Sequence, residues 1–115
     1  MEPYDVIATL SALGQITRLK TFRALLRHEP HGMTESELQS LLKISGDGLS
    51  EQLSVLIEAG LATSAHVAHD IVYRARAERL REIDLFFVKD YPARFEHCAR
   101  LAADVVNATE PQHSR

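Results

Sequence analysis

Cys98 and its neighbour His97 have the clearest potential for covalent chemistry in this sequence. An imidazolium beside a thiol can lower the thiol pKa and open the sulfur to oxidation or alkylation. Adjacent positions on a helix point about 100° apart, so the two side chains need not meet. Cys98 also shares a helical face with Phe95 and Leu101, where it would be a small apolar residue in a dimer seam. Two interpretations stay open: a redox or sensor site, or interface packing.

The other metal-ligating side chains do not form a recognisable set. His28 and His31 flank one turn, and His66 and His69 flank another. Each pair supplies two ligands, whereas a zinc site takes three or four from the protein. The sequence also has no nucleophile elbow, no phosphate-binding glycine loop and no zinc-hydrolase histidine pair. We therefore predict no catalytic residues, no metal site and no cofactor, and we expect that the protein is not an enzyme.

The composition is that of an ordinary globular domain. The chain has 115 residues, of which 45% are hydrophobic and 25% are charged, which predicts one domain with a single core. The net charge of -3 argues against indiscriminate coating of nucleic acid, because non-specific affinity comes mainly from basic side chains. No apolar run has the length of a signal or membrane segment, and the lone cysteine agrees with a reducing compartment. We expect a cytoplasmic protein that does not contact a membrane.

Apolar residues at helical spacing predict three helices in the first part of the chain. The first covers residues 4–13, the second covers residues 15–28, and the third follows a capping box of Thr34 and Glu37. The apolar residues at this spacing are Val6, Ile7, Leu10 and Leu13 in the first helix and, on one face of the second, Ile16, Leu19, Phe22, Leu25 and Leu26. In the third helix Leu38, Leu41 and Leu42 are predicted to lie inward.

The segment from Leu41 to Leu61 predicts a short helix, a tight turn and a second helix. An apolar stripe on that second helix consists of Leu49, Leu53, Leu56 and Ile57, and its outward residues are Asp47, Ser50, Glu51, Ser54 and Glu58. Either Ser45 or Asp47 is expected to cap its N-terminus, and Gly60 to end it in the left-handed conformation. Such a helix suits insertion into a DNA major groove, although any amphipathic surface helix shows the same stripe.

The rest of the chain predicts a wing and C-terminal helices. Residues 61–68 and 70–75 favour strands joined by a turn at Ala68-His69-Asp70, and a helical pattern returns at Glu78. Pro92 interrupts that pattern, so Tyr91 is expected to mark a break or kink between two helices. The predicted fold is mainly α with a small β-hairpin, a winged helix-turn-helix.

The predicted organisation is one winged-helix domain over residues 1–115. Its parts are a core and wing over residues 4–77, dimerisation helices over residues 78–108 and a frayed tail over residues 109–115. The C-terminal helices carry more apolar surface than so small a core could hide, which predicts a homodimer. The residues concerned are Phe86, Phe87, Val88, Phe95, Leu101, Val105 and Val106.

Three motifs resemble one known family. The run from Ala12 to Leu26 resembles the helix-opening signature of the ArsR/SmtB family of bacterial metal- and stress-responsive repressors. Residues 48–61 resemble the recognition helix of that family, and Val72-Tyr73-Arg74 resembles the return strand of its wing. The resemblance implies a homodimer that forms through its first and last helices. It also implies that the two recognition helices enter successive major grooves of a pseudo-palindromic operator in double-stranded DNA.

Departures from the family pattern concern its sensory sites. The arsenic-sensing cysteine pair of many members would fall within residues 36–42, which contain no cysteine. A second arrangement places a cysteine pair and a third cysteine beyond the wing, and only the third is present, as Cys98. A trigonal thiolate site needs three sulfurs, so arsenite sensing of either kind is disfavoured.

DNA contacts are predicted from the helix-turn-helix and the wing. The residues predicted to contact base edges are Ser45, Asp47, Gly48, Ser50 and Gln52, and those predicted to contact phosphates are Arg18, Lys43, Arg74 and Arg76. Asp47 and Glu51 place carboxylates where phosphates would approach, so we expect weak, salt-sensitive binding. The predicted function is a repressor released by an effector or stress signal. The alternative is a winged-helix protein-interaction module that has lost DNA binding.

Overall fold

The computed structural model of the protein describes residues 1–90. The helices are α1 (Pro3–Leu13), α2 (Ile16–Arg27), α3 (Glu35–Leu42), α4 (Gly46–Glu58) and α5 (Ala77–Val88), and the strands are β1 (Met33–Thr34), β2 (Ala62–Val67) and β3 (Asp70–Ala75). Residues 1–83 form one compact unit, and residues 84–90 are the described beginning of a second unit.

The predicted winged helix-turn-helix is confirmed. Helices α3 and α4 follow one another across a short turn, and β2 and β3 form the antiparallel wing, with Ala62 opposite Ala75 and Val67 opposite Asp70. The sequence did not predict β1, which pairs with β3 and gives the strand order β1-β3-β2. Two residues are too short to show the alternating pattern of a strand, so β1 is defined by its partner and not by its own sequence.

The core of this unit is built mainly from leucines on three helices. Its fully buried large apolar side chains are Phe22 and Leu25 of α2, Leu38 of α3, Leu49, Leu53 and Leu56 of α4, and Leu61 just before the wing. Three of the four residues in the predicted stripe of α4 are therefore buried, and the five residues predicted to face outward on α4 are all exposed. The core thus holds α4 by one face and leaves the opposite face open.

Six residues of the apolar helical patterns are exposed, which for Leu41 contradicts the predicted inward position. The structure exposes Ile7, Leu10, Ile16, Leu19, Leu41 and Ile57. In α1 the buried residues are Val6, Thr9 and Ala12, so the helix packs by a face of mostly small residues, while Ile7 is 60% exposed. Ile57 lies about 80° around α4 from Leu49, at the edge of the buried stripe. Apolar spacing alone did not identify which side of these helices the neighbouring elements cover.

Both ends of α4 follow ordinary capping rules. Ser45, and not Asp47, is the N-cap: its hydroxyl accepts from the Gly48 amide at 3.3 Å. Gly60 has the predicted positive φ, at 78°, and a Cβ there would collide with the Arg79 guanidinium. Gly46 and Gly48 lie within the first turn of the helix.

The helical pattern predicted from Glu78 is confirmed as α5, as far as the described residues reach. The predicted break at Tyr91, the helix after it and the tail over residues 109–115 lie outside them. Within residues 1–90, no helix combines the length and apolar character needed to cross a membrane.

Candidate DNA interface

The exposed face at the start of α4 is the centre of the candidate interface. Asp47 and Ser50 are exposed, Ser45 caps the helix, and Gly48 is half-buried. Their position follows from the core, because Leu49 and Leu53 hold the opposite face of the same turns. Asp47 also places a carboxylate in the first turn, where the helix dipole favours negative charge.

The turn before α4 is fixed from the α3 side. Helix α3 begins with the predicted capping box, in which the Thr34 hydroxyl accepts from the Glu37 amide at 3.2 Å and the Glu37 carboxylate accepts from the Thr34 amide at 2.8 Å. The same helix ends at Lys43, which adopts the left-handed conformation with φ 58°. Lys43 is exposed, so its ammonium group lies in the turn that joins the two helices and is open to an anion.

Ser50 lies close to Glu35 of α3. Its hydroxyl oxygen is 3.4 Å from each carboxylate oxygen of Glu35, which is a long hydrogen bond. Glu35 was not among the predicted site residues, and no sequence spacing links two positions on different helices. A negative charge therefore stands directly beside a residue predicted to contact a base.

Gln52 and Arg18 were predicted to contact bases and phosphates respectively, and the structure brings them together. The Nη1 of Arg18 donates to the Gln52 Oε1 at 2.8 Å, and the Arg18 Nε donates to the backbone oxygen of Ala12 at 2.6 Å. Both side chains are half-buried. The link joins the end of α1, the start of α2 and the middle of α4.

The wing arginines contact different partners. Arg74 on β3 forms a two-point ion pair with Glu29, with Nη2 to Oε1 at 2.8 Å and Nε to Oε2 at 3.3 Å. The hydrogen bond and the charge of Glu29 raise the pKa of Arg74 above its usual value. Arg76 lies at the base of the wing, where its Nη1 is 3.3 Å from the backbone oxygen of Gly60. Arg74 is thus partly neutralised, and Arg76 is partly buried.

The whole helix-turn-helix segment is acidic. Residues 34–58 contain one cation, Lys43, and five carboxylates, which gives 1 - 5 = -4 for the segment. The carboxylates belong to Glu35, Glu37, Asp47, Glu51 and Glu58. This negative charge supports the expectation that a polyanion such as DNA is repelled here. Only the carboxylates of Asp47 and Glu51 were expected from the sequence to oppose phosphates, and the segment carries three more.

The acidic segment also affects the pKa of Tyr73, the tyrosine of the wing. Burial raises the pKa of Tyr73 on β3, and the nearby charge of Glu35 raises it further. Both effects disfavour the phenolate, so the pKa of Tyr73 lies above its ordinary value.

The predicted sensor residues Cys98 and His97 lie outside the described residues. Within residues 1–90, no group of three or more histidine, cysteine, aspartate or glutamate side chains is arranged to hold a metal ion. Whether each predicted residue contacts DNA stays a prediction. What the geometry adds is two carboxylates that the sequence did not single out, Glu35 beside Ser50 and Glu29 beside Arg74.

The chain is similar to a helix-turn-helix family profile and to solved structures of transcriptional regulators. Residues 13–65 match the profile of a family described as a helix-turn-helix domain. An ArsR-like transcriptional regulator from Rhodococcus sp. RHA1 superimposes with a TM-score of 0.69 at 24% identity, over 94% of this chain and 95% of that one. No curated protein sequence matches this chain.

Two further structures are similar at somewhat higher identity. HlyU from Vibrio cholerae N16961 has a TM-score of 0.61 at 28% identity, over 75% of this chain and 94% of that one. A transcriptional regulator HlyU from Vibrio vulnificus CMCP6 has a TM-score of 0.56 at 27% identity, over 70% of this chain and 81% of that one. The family profile over residues 13–65 includes the whole helix-turn-helix, the element at the centre of the candidate interface.

Proposed function

We propose that this chain, a winged-helix regulator of the ArsR/SmtB family, is a cytoplasmic homodimeric repressor that binds a pseudo-palindromic operator and is released by an effector or stress signal. The observation that carries the proposal is the open polar face of α4. Leu49, Leu53 and Leu56 bury one side of this helix, while Asp47 and Ser50 stay exposed on the other. A helix anchored in this way can enter a major groove without losing core contacts.

Base reading is assigned to the first turns of α4. The Ser50 hydroxyl can donate to or accept from a base edge, and the Asp47 carboxylate can accept from cytosine N4. Ser45 and Gly48 form the N-terminal turn, where small residues let the helix end approach the bases closely. Gln52 follows one turn later. A carboxylate in this position can distinguish one base from another, but it adds little to the overall affinity for DNA because it repels the phosphates.

Phosphate contact is assigned to Lys43 and to the wing arginines Arg74 and Arg76. Lys43 is exposed in the turn beside α4, and Arg74 keeps half of its side chain exposed despite its ion pair with Glu29. So few cations predict modest affinity that falls with added salt through counterion release.

The homodimer is supported by apolar side chains that the described chain leaves exposed. Helix α1 exposes Tyr4, Ile7 and Leu10, and the last turns of α5 separately expose Leu85 and Phe87. The family resemblance assigns the first helix to the interface, and α5 belongs to the segment over residues 78–108 that is predicted to dimerise. So much exposed apolar surface is unusual on a monomer of this size, and packing against a second copy of the chain would remove it from water.

A second candidate function is favoured by the charge of the helix-turn-helix. With one cation against five carboxylates over residues 34–58, the same face would suit a basic segment of a protein partner. In this alternative the chain is a winged-helix interaction module without DNA binding. Salt does not separate the two by itself, but a preference for one DNA sequence over its scramble belongs only to the regulator.

A double variant of the open face tests the proposed function. Asp47→Ala with Ser50→Ala should remove the preference for the protein's own upstream intergenic DNA over a scrambled duplex, while the dimer mass in solution stays unchanged. Ser54→Ala is the matched control, because Ser54 is exposed on α4 beyond its first turns. If the double variant keeps its sequence preference, α4 does not read the operator and the proposal is contradicted.

A further inference from the structure

A hydrogen-bonded bridge joins three helices at the start of α2. The Arg18 guanidinium donates from Nε to the Ala12 backbone oxygen of α1 at 2.6 Å and from Nη1 to the Gln52 Oε1 of α4 at 2.8 Å. The Arg18 amide is held in turn by the Gln15 side chain at 2.9 Å, which caps α2. Backbone and side chain of Arg18 are thus both fixed.

We infer that Arg18 is a positioning residue for DNA recognition, which sets Gln52 and α4 relative to α1, and that it contacts no phosphate. This inference rests on the proposed function, because it concerns how the operator-reading helix is held. Arg18 on α2 and Gln52 on α4 are 34 positions apart in the chain. A rigid planar guanidinium suits such a bridge, because its donors keep fixed directions.

The bridge also determines which polar group Gln52 has left to offer. An arginine side chain has donors and no acceptor, so the Gln52 amide must turn its oxygen toward Arg18. Arg18 occupies one lone pair of that oxygen and fixes its direction, while the NH₂ group keeps its donors for DNA. A bidentate glutamine pair with adenine needs both the oxygen and the NH₂ group. Held by Arg18, Gln52 is expected to donate to a single acceptor such as guanine O6 or thymine O4.

A neighbouring cation on the same helix provides a contrast. Lys20 is exposed and forms no ion pair among the residues that the structure describes. Its charge is therefore available to any polyanion, whereas the Arg18 donors at Nε and Nη1 are directed to acceptors inside the protein. Lys20 is a suitable comparison residue because it carries the same charge on the same helix without the bridge.

The two possible roles of Arg18 differ in what they do to sequence preference. Loss of a phosphate contact weakens binding to every sequence about equally and reduces the slope of log affinity against log salt by about 0.9. Loss of a positioning bridge weakens binding to the operator while leaving the scrambled duplex and the slope as they were. Operator and scramble, each titrated over a series of salt concentrations, therefore separate the two roles.

The test uses the full chain with Arg18→Lys, Arg18→Gln and the control Lys20→Gln. We expect both Arg18 variants to reduce the ratio of operator to scramble affinity by about fivefold or more, with the salt slope of wild type. Lys20→Gln should keep the ratio. If Arg18→Lys keeps the wild-type ratio, or if Arg18→Gln lowers the slope by about 0.9 with the ratio unchanged, the inference is overturned.

A double-mutant cycle with Gln52→Ala tests the bridge itself. Because both substitutions break the same link, Arg18→Lys with Gln52→Ala should reduce the affinity ratio no further than the more damaging single variant. Additive losses would mean that the two residues act independently, and the inference would be wrong.

A measurement on the wild-type protein does not depend on how the variants fold. In NMR spectra the Arg18 Nε–H should exchange slowly with water and keep its shift when the operator is added. A large shift on binding would indicate contact with DNA and would overturn the inference.

A wild-type protein without sequence preference would contradict the proposed function as well, whereas a wild-type preference combined with unchanged Arg18 variants would contradict the bridge alone.

Discussion

The guanidinium of Arg74 and the carboxylate of Glu29 face each other across two hydrogen bonds, of 2.8 and 3.3 Å. Glu29 follows α2 and Arg74 lies on β3, so the pair ties the wing to the helical core. The same contact keeps one of the few wing cations partly occupied. A residue that stabilises the wing therefore also limits its attraction for DNA.

Glu29→Gln should release Arg74 for phosphate contact. We expect tighter binding to operator and scrambled DNA alike, and a salt slope steeper by about one, because one more phosphate is neutralised. Fluorescence anisotropy over a salt series measures both quantities. Arg74→Gln in the same background is the matched control and should remove the gain. A gain that persists without Arg74 would show that the release of this side chain is not the cause.

Glu35→Gln should strengthen operator binding by removing the charge beside Ser50. The expected gain is about twofold to fivefold, which is the range of an exposed charge interaction. Glu58→Gln removes the same charge near the far end of α4, away from the Ser50 contact, and should give a smaller gain. Equal gains would mean that only the total charge matters, and that the proximity of Glu35 to Ser50 has no separate effect.

Leu53→Ala and Ile57→Ala should differ strongly in stability. Leu53 is 1% exposed and Ile57 is 37% exposed, so the first variant should lose about 2–5 kcal/mol of unfolding free energy and the second less than about 1 kcal/mol. Urea unfolding followed by circular dichroism gives both values. Because the two residues belong to one apolar stripe in the sequence, similar losses would contradict the packing described for α4.

Thr34→Ala should destabilise the protein by about 1 kcal/mol through loss of the capping box. The lost contact is the bond of 3.2 Å from the Glu37 amide to the Thr34 hydroxyl, whereas the Thr34 amide can still donate to the Glu37 carboxylate. Ser40→Ala is the control, because Ser40 lies later in α3 and does not cap it. Urea unfolding of the two variants should show a loss only for Thr34→Ala.

The helices and the wing could be predicted because their signals are local. The capping box at Thr34, the glycine stop at Gly60 and the repeat of Leu49, Leu53 and Leu56 each lie within a few residues, and each is present in the structure. The fold of the helix-turn-helix and wing follows from these signals together with the order of the elements.

The contacts between elements could not be predicted in the same way. Arg18 and Gln52, Ser50 and Glu35, and Arg74 and Glu29 are pairs separated by 34, 15 and 45 positions. Nothing in a single sequence encodes such a pairing, because it depends on how whole elements pack. The exposed side of α1 has the same origin, since Thr9 and Ala12 become core residues only when α2 and α4 cover them.

The central claim is that α4 reads a DNA sequence, and the most direct test is a titration of the wild-type protein. Fluorescence anisotropy should compare the protein's own upstream intergenic duplex with a scramble of equal composition, at low and at higher salt, with and without reductant. We predict binding that favours the upstream duplex at both salt concentrations and weakens as salt rises. Equal affinity for both duplexes, or no binding to either one, would contradict the account and favour a protein partner for the acidic face.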